Sequence, residues 1–232
     1  MKARLDKHFG NRSAVKAMNI GTFHSICIKI LSEQSGKKNL PVLDQADALS
    51  MVRDILENLC LKNSPRDVLR GISLIKSGTP PAQADINVPP EVYDLYQKLL
   101  KEYEVFDYDD ILLEALAHFE CGSPDHVKGK NPPGSFSHIL VDEFQDINSI
   151  QYRLVKEWSR DSAGIFVIGD PDQSVYGFRG ADSLCFERFF EDYPRTRQVR
   201  LAQKIGHRAA QVLGHALHNG VGLGMHGRGV QR

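Results

Sequence analysis

The sequence predicts an α/β fold in which a parallel sheet follows a long block of helices. Three observations carry that expectation. Residues 44 to 121 keep helical periodicity through four successive segments, and at residue 138 the pattern switches to short aliphatic runs around one amphipathic helix. Of the 232 residues, 41% are hydrophobic, enough to bury a sizeable core.

The first helical segment, DQADALSMVRDILENLC, places Ala48, Leu49, Val52, Ile55, Leu56 and Leu59 at helical spacing behind Asp44, a capping residue. In SPRDVLRGISLIKSG, Ser64 is the expected N-cap, Pro65 takes the first helical position and Gly78 is the expected stop. PPEVYDLYQKLLKEYE supplies a third helix, and DYDDILLEALAHFE a fourth with Asp107 placed to cap it. Residues 121 to 137, rich in Gly, Pro and Ser, read as a loop. Beyond it, SHILVDE and GIFVIGD read as strands on either side of INSIQYRLVKEWS, a helix with Ile147, Ile150, Leu154, Val155 and Trp158 on one side. Such a unit makes parallel strands whose carboxyl ends share one edge of the sheet.

Composition narrows the function classes. Lys plus Arg equals Asp plus Glu at 29 each, so any phosphate recognition has to come from local placement. Cys27, Cys60, Cys121 and Cys185 form no CxxC pair, which argues against a zinc site and for reduced thiols in a cytoplasmic protein. His215 and His218 stand three apart without a visible third metal ligand. No apolar run approaches the ~20 residues of a membrane span, and no signal peptide opens the chain, so no membrane partner is expected.

The stretch ILVDEFQD, residues 139 to 146, runs an apolar strand into Asp142, Glu143, Gln145 and Asp146. Acids after a strand also serve as helix caps. A cap accounts for Asp146, but not for polar groups after both strands, where Asp170 and Gln173 follow the second. Ligands of open α/β sheets bind at that carboxyl edge, and converging polar groups there mark a site. A carboxylate pair in this position suits Mg²⁺-dependent nucleoside triphosphate hydrolysis, the first acid on the metal and the second facing an attacking water.

ILVDEFQD followed by VIGDPDQSVYGFRGA resembles motifs II and III of UvrD/Rep-type DNA helicases. GTFHSICIKIL, residues 21 to 31, is similar to a DNA-lining motif of that family, and FDYDDILLEAL to a stretch of the helical subdomain inserted in its first RecA-like domain. The resemblance covers about residues 1 to 203, in family order. It implies a RecA-like, P-loop NTPase-type parallel sheet with an inserted all-helical subdomain, and an ATP-dependent DNA helicase of repair or replication translocating 3′ to 5′ on single-stranded DNA. By the same resemblance Asp142 holds Mg²⁺, Glu143 is the catalytic base, and Gln173 contacts the γ-phosphate of ATP. Tyr176 and Phe178 resemble the aromatic pair on which bases stack, with Arg179 beside them, and Thr22, Phe23 and His24 line the DNA path. Core packing for Phe23 and Phe178, a capping or packing role for His24, and a local pair of Arg179 with Asp182 remain open from the residues alone.

The family pattern is incomplete in this chain. No GxxxxGK[ST] loop occurs, and SGKKN at 35 to 39 lacks the upstream glycine and the strand-to-helix setting. After RQVRL, Lys204, Ile205, Gly206 and His207 stand where the family carries an Asn-Tyr-Arg-Ser string, and Arg208 is not assigned that arginine's role. The expected organisation is therefore residues 1–43, the start of a RecA-like domain without its P-loop strand; 44–130, the helical subdomain; 131–203, the rest of the domain; and 204–232, a degenerate or disordered tail. The expected activity is that of part of a helicase, inactive without the rest. The alternatives are a non-hydrolysing single-stranded DNA-binding module and a degenerate interaction protein.

Overall fold

A computed structural model of the chain describes residues 2–9, 12–36, 39–78, 86–120, 136–170, 185–201 and 222–226. Two short helices, α1 (Lys2–Phe9) and α2 (Arg12–Ala17), lead into α3 (Phe23–Ser35), which ends at Gly36 in the left-handed conformation that glycine adopts without strain. The helical block follows as α4 (Gln45–Asn58), α5 (Pro65–Lys76), α6 (Pro90–Glu102) and α7 (Tyr108–Glu120). Its boundaries follow local chemistry. The Asp44 carboxylate accepts from the N–H groups of Ala46 and Asp47 at 2.8 Å, and Ser64 Oγ accepts from Asp67 N–H, with Pro65 opening α5. Gly78, at φ +77°, follows α5 as the expected stop. Asp107 Oδ1 accepts the Asp110 N–H at 2.8 Å at the start of α7.

The sheet is built from β1 (His138–Val141), β2 (Gly164–Gly169), β3 (Arg197–Leu201) and β4 (Gly222–His226), in the order β1-β2-β4-β3, with every pairing parallel. Between β1 and β2 lies α8 (Ser149–Ser159), and α9 (Cys185–Asp192) precedes β3. The register sets Ile139 against Ile165 and Val141 against Val167. The α8 start is a capping box: Asn148 Oδ1 accepts the Gln151 N–H while Gln151 Oε1 accepts the Asn148 N–H. The cap is thus Asn148, so capping does not explain Asp146. The tail expected to be degenerate or disordered supplies β4, whose main chain pairs on both sides where its sequence carries no strand periodicity. Backbone pairing with two neighbours needs no side-chain pattern.

Two apolar cores organise the chain. The larger joins α3, α7, α8, α9, β1 and β2 through residues such as Ile30, Leu112, Leu116, Phe144, Leu154, Val167 and Phe189. The smaller belongs to α4, α5 and α6, through Val52, Leu56, Val68, Ile72, Val92 and Tyr96. The apolar face of α7 lies in the larger core although its sequence continues the helical block, so the expected 44–130 unit divides at the packing level. The chain leaves and re-enters at a single point: Phe106 N–H donates to Pro41 O at 2.9 Å, and Leu43 N–H to Phe106 O at 2.8 Å.

A polar network ties the two cores together. Lys76 Nζ, on α5, donates to Asp107 Oδ2 at 2.6 Å and Asp110 Oδ1 at 2.7 Å, and the Tyr96 hydroxyl of α6 donates to the same Asp107 oxygen at 3.1 Å. Lys76 also sits 5.4 Å from the centroid of the Tyr96 ring. Burial raises Tyr96 above the ordinary tyrosine range, and the neighbouring Asp107 adds to the shift.

Candidate functional site

Asp142 and Glu143 follow β1 and Asp170 follows the adjacent parallel strand β2, so the three residues stand at the same edge of the sheet. The unit behind them is the one the sequence predicts, an apolar strand, an amphipathic helix and an apolar strand. In α8, Ile150, Leu154, Val155 and Trp158 are buried as its periodicity requires, with Ile147 buried just ahead of the helix. Asp142 and Glu143 are exposed, whereas Gln145 and Asp170 are buried. Asp142 Oδ1 accepts the Glu143 N–H at 3.1 Å, and its other oxygen takes no hydrogen bond among the described residues.

Glu143 stands in the left-handed region at φ +52°, ψ +44°, a conformation that costs a non-glycine residue about 1 kcal/mol or more. The tight turn that follows, Phe144–Asp146, swings Phe144 into the core against Phe186 and Phe189 and turns Gln145 back toward the rim. There Gln145 Nε2 donates to Glu143 Oε2 at 2.7 Å, and Gln145 Oε1 accepts the Asp170 N–H at 3.0 Å. The Asp146 carboxyl is raised from its ordinary range by burial and by the nearby Glu143 charge, and one of its oxygens is buried without a partner among the described residues. The rim can therefore present an acid oriented by a neutral amide beside a second, open carboxylate. No group of three or more His, Cys, Asp or Glu converges to hold a metal among the described residues.

Thr22, Phe23 and His24, expected to line a DNA path, stand at the start of α3. Thr22 caps that helix, its hydroxyl oxygen accepting the Ser25 N–H at 3.3 Å. Phe23 is half-buried and stacked on Trp158, with ring centroids 5.6 Å apart and planes 15° apart. The expectation of a DNA-lining ring at Phe23 thus meets a packing contact at the far end of α8 from Asp142, because an aromatic at the first turn of α3 finds apolar surface beside Trp158. His24 is half-buried edge-on to Tyr108, and burial lowers its pKa despite a hydrogen bond to the Tyr108 backbone. Gln173, Tyr176, Phe178 and Arg179, as well as Asp182, His215 and His218, lie outside the described residues.

Gln145 belongs to the polar cluster that the sequence predicts, but its role is visible only in the fold. The space for it comes from Gly169, the last residue of β2: a Cβ there would lie 2.5 Å from Gln145 Oε1 and 3.1 Å from the Phe144 backbone nitrogen. Only glycine leaves room for the amide to reach the Asp170 N–H.

Residues 1–194 match the family described as UvrD/REP helicase N-terminal domain. Over 218 residues the chain is 35% identical to the ATP-dependent DNA helicase PcrA of Staphylococcus epidermidis, an alignment covering 88% of this chain and 29% of that relative. The PcrA of Staphylococcus aureus is 34% identical over the same length, with the same coverage of each chain. The chain accordingly spans less than a third of the length of these curated relatives. No helix among the described residues is long and apolar enough to cross a membrane.

Proposed function

Since the chain belongs to the UvrD/REP helicase N-terminal domain family, we propose that it carries the metal- and water-facing half of an ATP-hydrolysing site in a helicase acting on single-stranded DNA with 3′ to 5′ polarity. The observation that supports this most is the rim itself, with Asp142 and Glu143 at the carboxyl end of β1 and Glu143 held by Gln145. Asp142 would hold Mg²⁺. Its exposed carboxylate, open at one oxygen, fits a hard cation that keeps several of its own waters and needs few protein ligands. When bound, the ion neutralises charge building on the phosphate oxygens. Glu143 is the base that takes the proton of the attacking water, and Gln173 is the γ-phosphate contact.

DNA contacts are assigned to Tyr176, Phe178 and Arg179, joined by Thr22 and His24; the packing of Phe23 on Trp158 favours a supporting role for that ring. The excursion from residue 44, closed by the pairing of Pro41 and Leu43 with Phe106, serves as the inserted helical subdomain, with α7 returning to the sheet core. The tail from residue 204 lends β4 to the sheet.

The GxxxxGK[ST] pattern of a phosphate-cradling loop does not occur in these 232 residues. Losing a single preorganised donor already costs about 10²–10³ in rate, so the chain alone turns over no measurable ATP and requires a loop supplied from elsewhere. ATP turnover with and without a single-stranded oligonucleotide, beside an equilibrium titration of that oligonucleotide, tests this reading. The expected result is no turnover, with sequence-indifferent binding at dissociation constants on the order of 10⁻⁴–10⁻⁶ M that weakens with salt. Turnover abolished by Glu143→Gln overturns the inactivity, and no binding at low salt overturns the DNA role.

A further inference from the structure

Gln145 is 3% exposed, and its two amide atoms face opposite partners at the rim. Nε2 donates to the Glu143 carboxylate at 2.7 Å, while Oε1 accepts the Asp170 N–H at 3.0 Å. The amide orientation is fixed by these partners, because a flipped group would set its oxygen against a carboxylate and its NH₂ against an N–H. We propose that Gln145 is a positioning residue: it couples the Glu143 carboxylate to the backbone at Asp170, and so links the hydrolytic rim to the point where the chain leaves β2. This rests on the reading of Glu143 as the base.

The chemistry of the position is narrow. Glutamate at 145 would bring a like charge against Glu143, an apolar residue would leave the buried Asp170 N–H without this acceptor, and asparagine is one methylene too short to span both groups. Gly169 leaves the space, since a Cβ there would come within 2.5 Å of Gln145 Oε1. Held through Oε2, the Glu143 carboxylate keeps Oε1 for the proton of water. A displacement of that carboxylate pulls Nε2 with it and weakens the bond at Oε1.

Backbone amide exchange at Asp170, followed by NMR on the full chain, tests the coupling without nucleotide or DNA. Gln145→Met should speed exchange at Asp170 about tenfold, the effect of losing one hydrogen bond. Glu143→Ala, at an exposed position, should speed it about two- to tenfold by removing the carboxylate that Nε2 donates to. Glu143→Gln retains an oxygen that accepts from Nε2 and should leave exchange at the wild-type rate. The Ile165 and Val167 amides of β2 serve as the reference for folding. If Glu143→Ala leaves Asp170 at the wild-type rate, or Glu143→Gln speeds it as much as alanine does, the coupling is absent and Gln145 only packs. The hydrolytic and DNA assignments stand or fall on the nucleotide and oligonucleotide measurements, so the two failures are read separately.

Discussion

Replacing Lys76 with methionine should remove about 3–5 kcal/mol of stability, the range for a buried ion pair that loses one partner. The Lys76 side chain is 1% exposed, and its ammonium lies 2.6 Å and 2.7 Å from the carboxylates of Asp107 and Asp110. Without the cation those two acids face each other across buried space, with Tyr96 able to donate only to Asp107. Methionine fills the volume of the stem but supplies no charge. By contrast Arg153 and Glu120, half-exposed at 52% and 39%, form a pair whose loss should cost about 0.2–1 kcal/mol. Urea unfolding followed by far-UV circular dichroism separates the two. With an m-value of about 2 kcal/mol per molar, a loss of about 4 kcal/mol lowers the midpoint by about 2 M.

The pH dependence gives a second reading of the same experiment. Asp109 is raised to about 6, first by burial, and Asp110 is raised first by burial and then by Asp107, despite Lys76. Groups raised on folding bind protons more tightly in the native state. Their contribution is therefore fully present below the ordinary aspartate range and is lost as the pH rises through their folded pKa values. The Lys76→Met penalty should consequently shrink on going from about pH 7 to about pH 5, as the remaining acids take up protons. A midpoint shift below about 0.5 M at unchanged m-value, or a penalty that grows on acidification, would refute the account of Lys76 as the counter-charge of this cluster.

Other outcomes follow from the same geometry. Asp109→Asn should raise stability near pH 7 and flatten its decline between about pH 4 and pH 6, read from chemical denaturation across that range. Gly169→Ala should cost about 1–3 kcal/mol in the same assay, because its Cβ meets Gln145, Phe186 and the Phe144 backbone together; an unchanged midpoint would mean the rim is loosely packed. In oligonucleotide titrations Phe178→Ala should weaken binding at every salt concentration by about 1–3 kcal/mol, whereas Arg179→Ala should mainly flatten the salt dependence. An unchanged affinity in Phe178→Ala assigns that ring to the core.

Much of the architecture is legible in the sequence because its causes are local. Asp44, Ser64, Pro65, Asp107 and Gly78 act within a few residues of themselves, and all stand at the helix boundaries their chemistry predicts. The aliphatic runs at 139–141 and 165–169 and the periodic residues of α8 specify a strand-helix-strand unit, and parallel strands joined that way must bring Asp142, Glu143 and Asp170 to one edge. Tertiary packing decided what no local pattern encodes. A helical stripe does not say which core it faces, and so α7 joined the sheet while α4, α5 and α6 closed a core of their own. Phe23 went to Trp158, 135 positions along the chain, Lys76 went to Asp107, and Gln145 met the Asp170 N–H across the space left by Gly169. The sequence determined which groups stand at the rim, because strand direction and spacing place them there. Only the fold decided which of them touch, because hydrogen-bond and ring partners are set by distances between segments far apart in the chain.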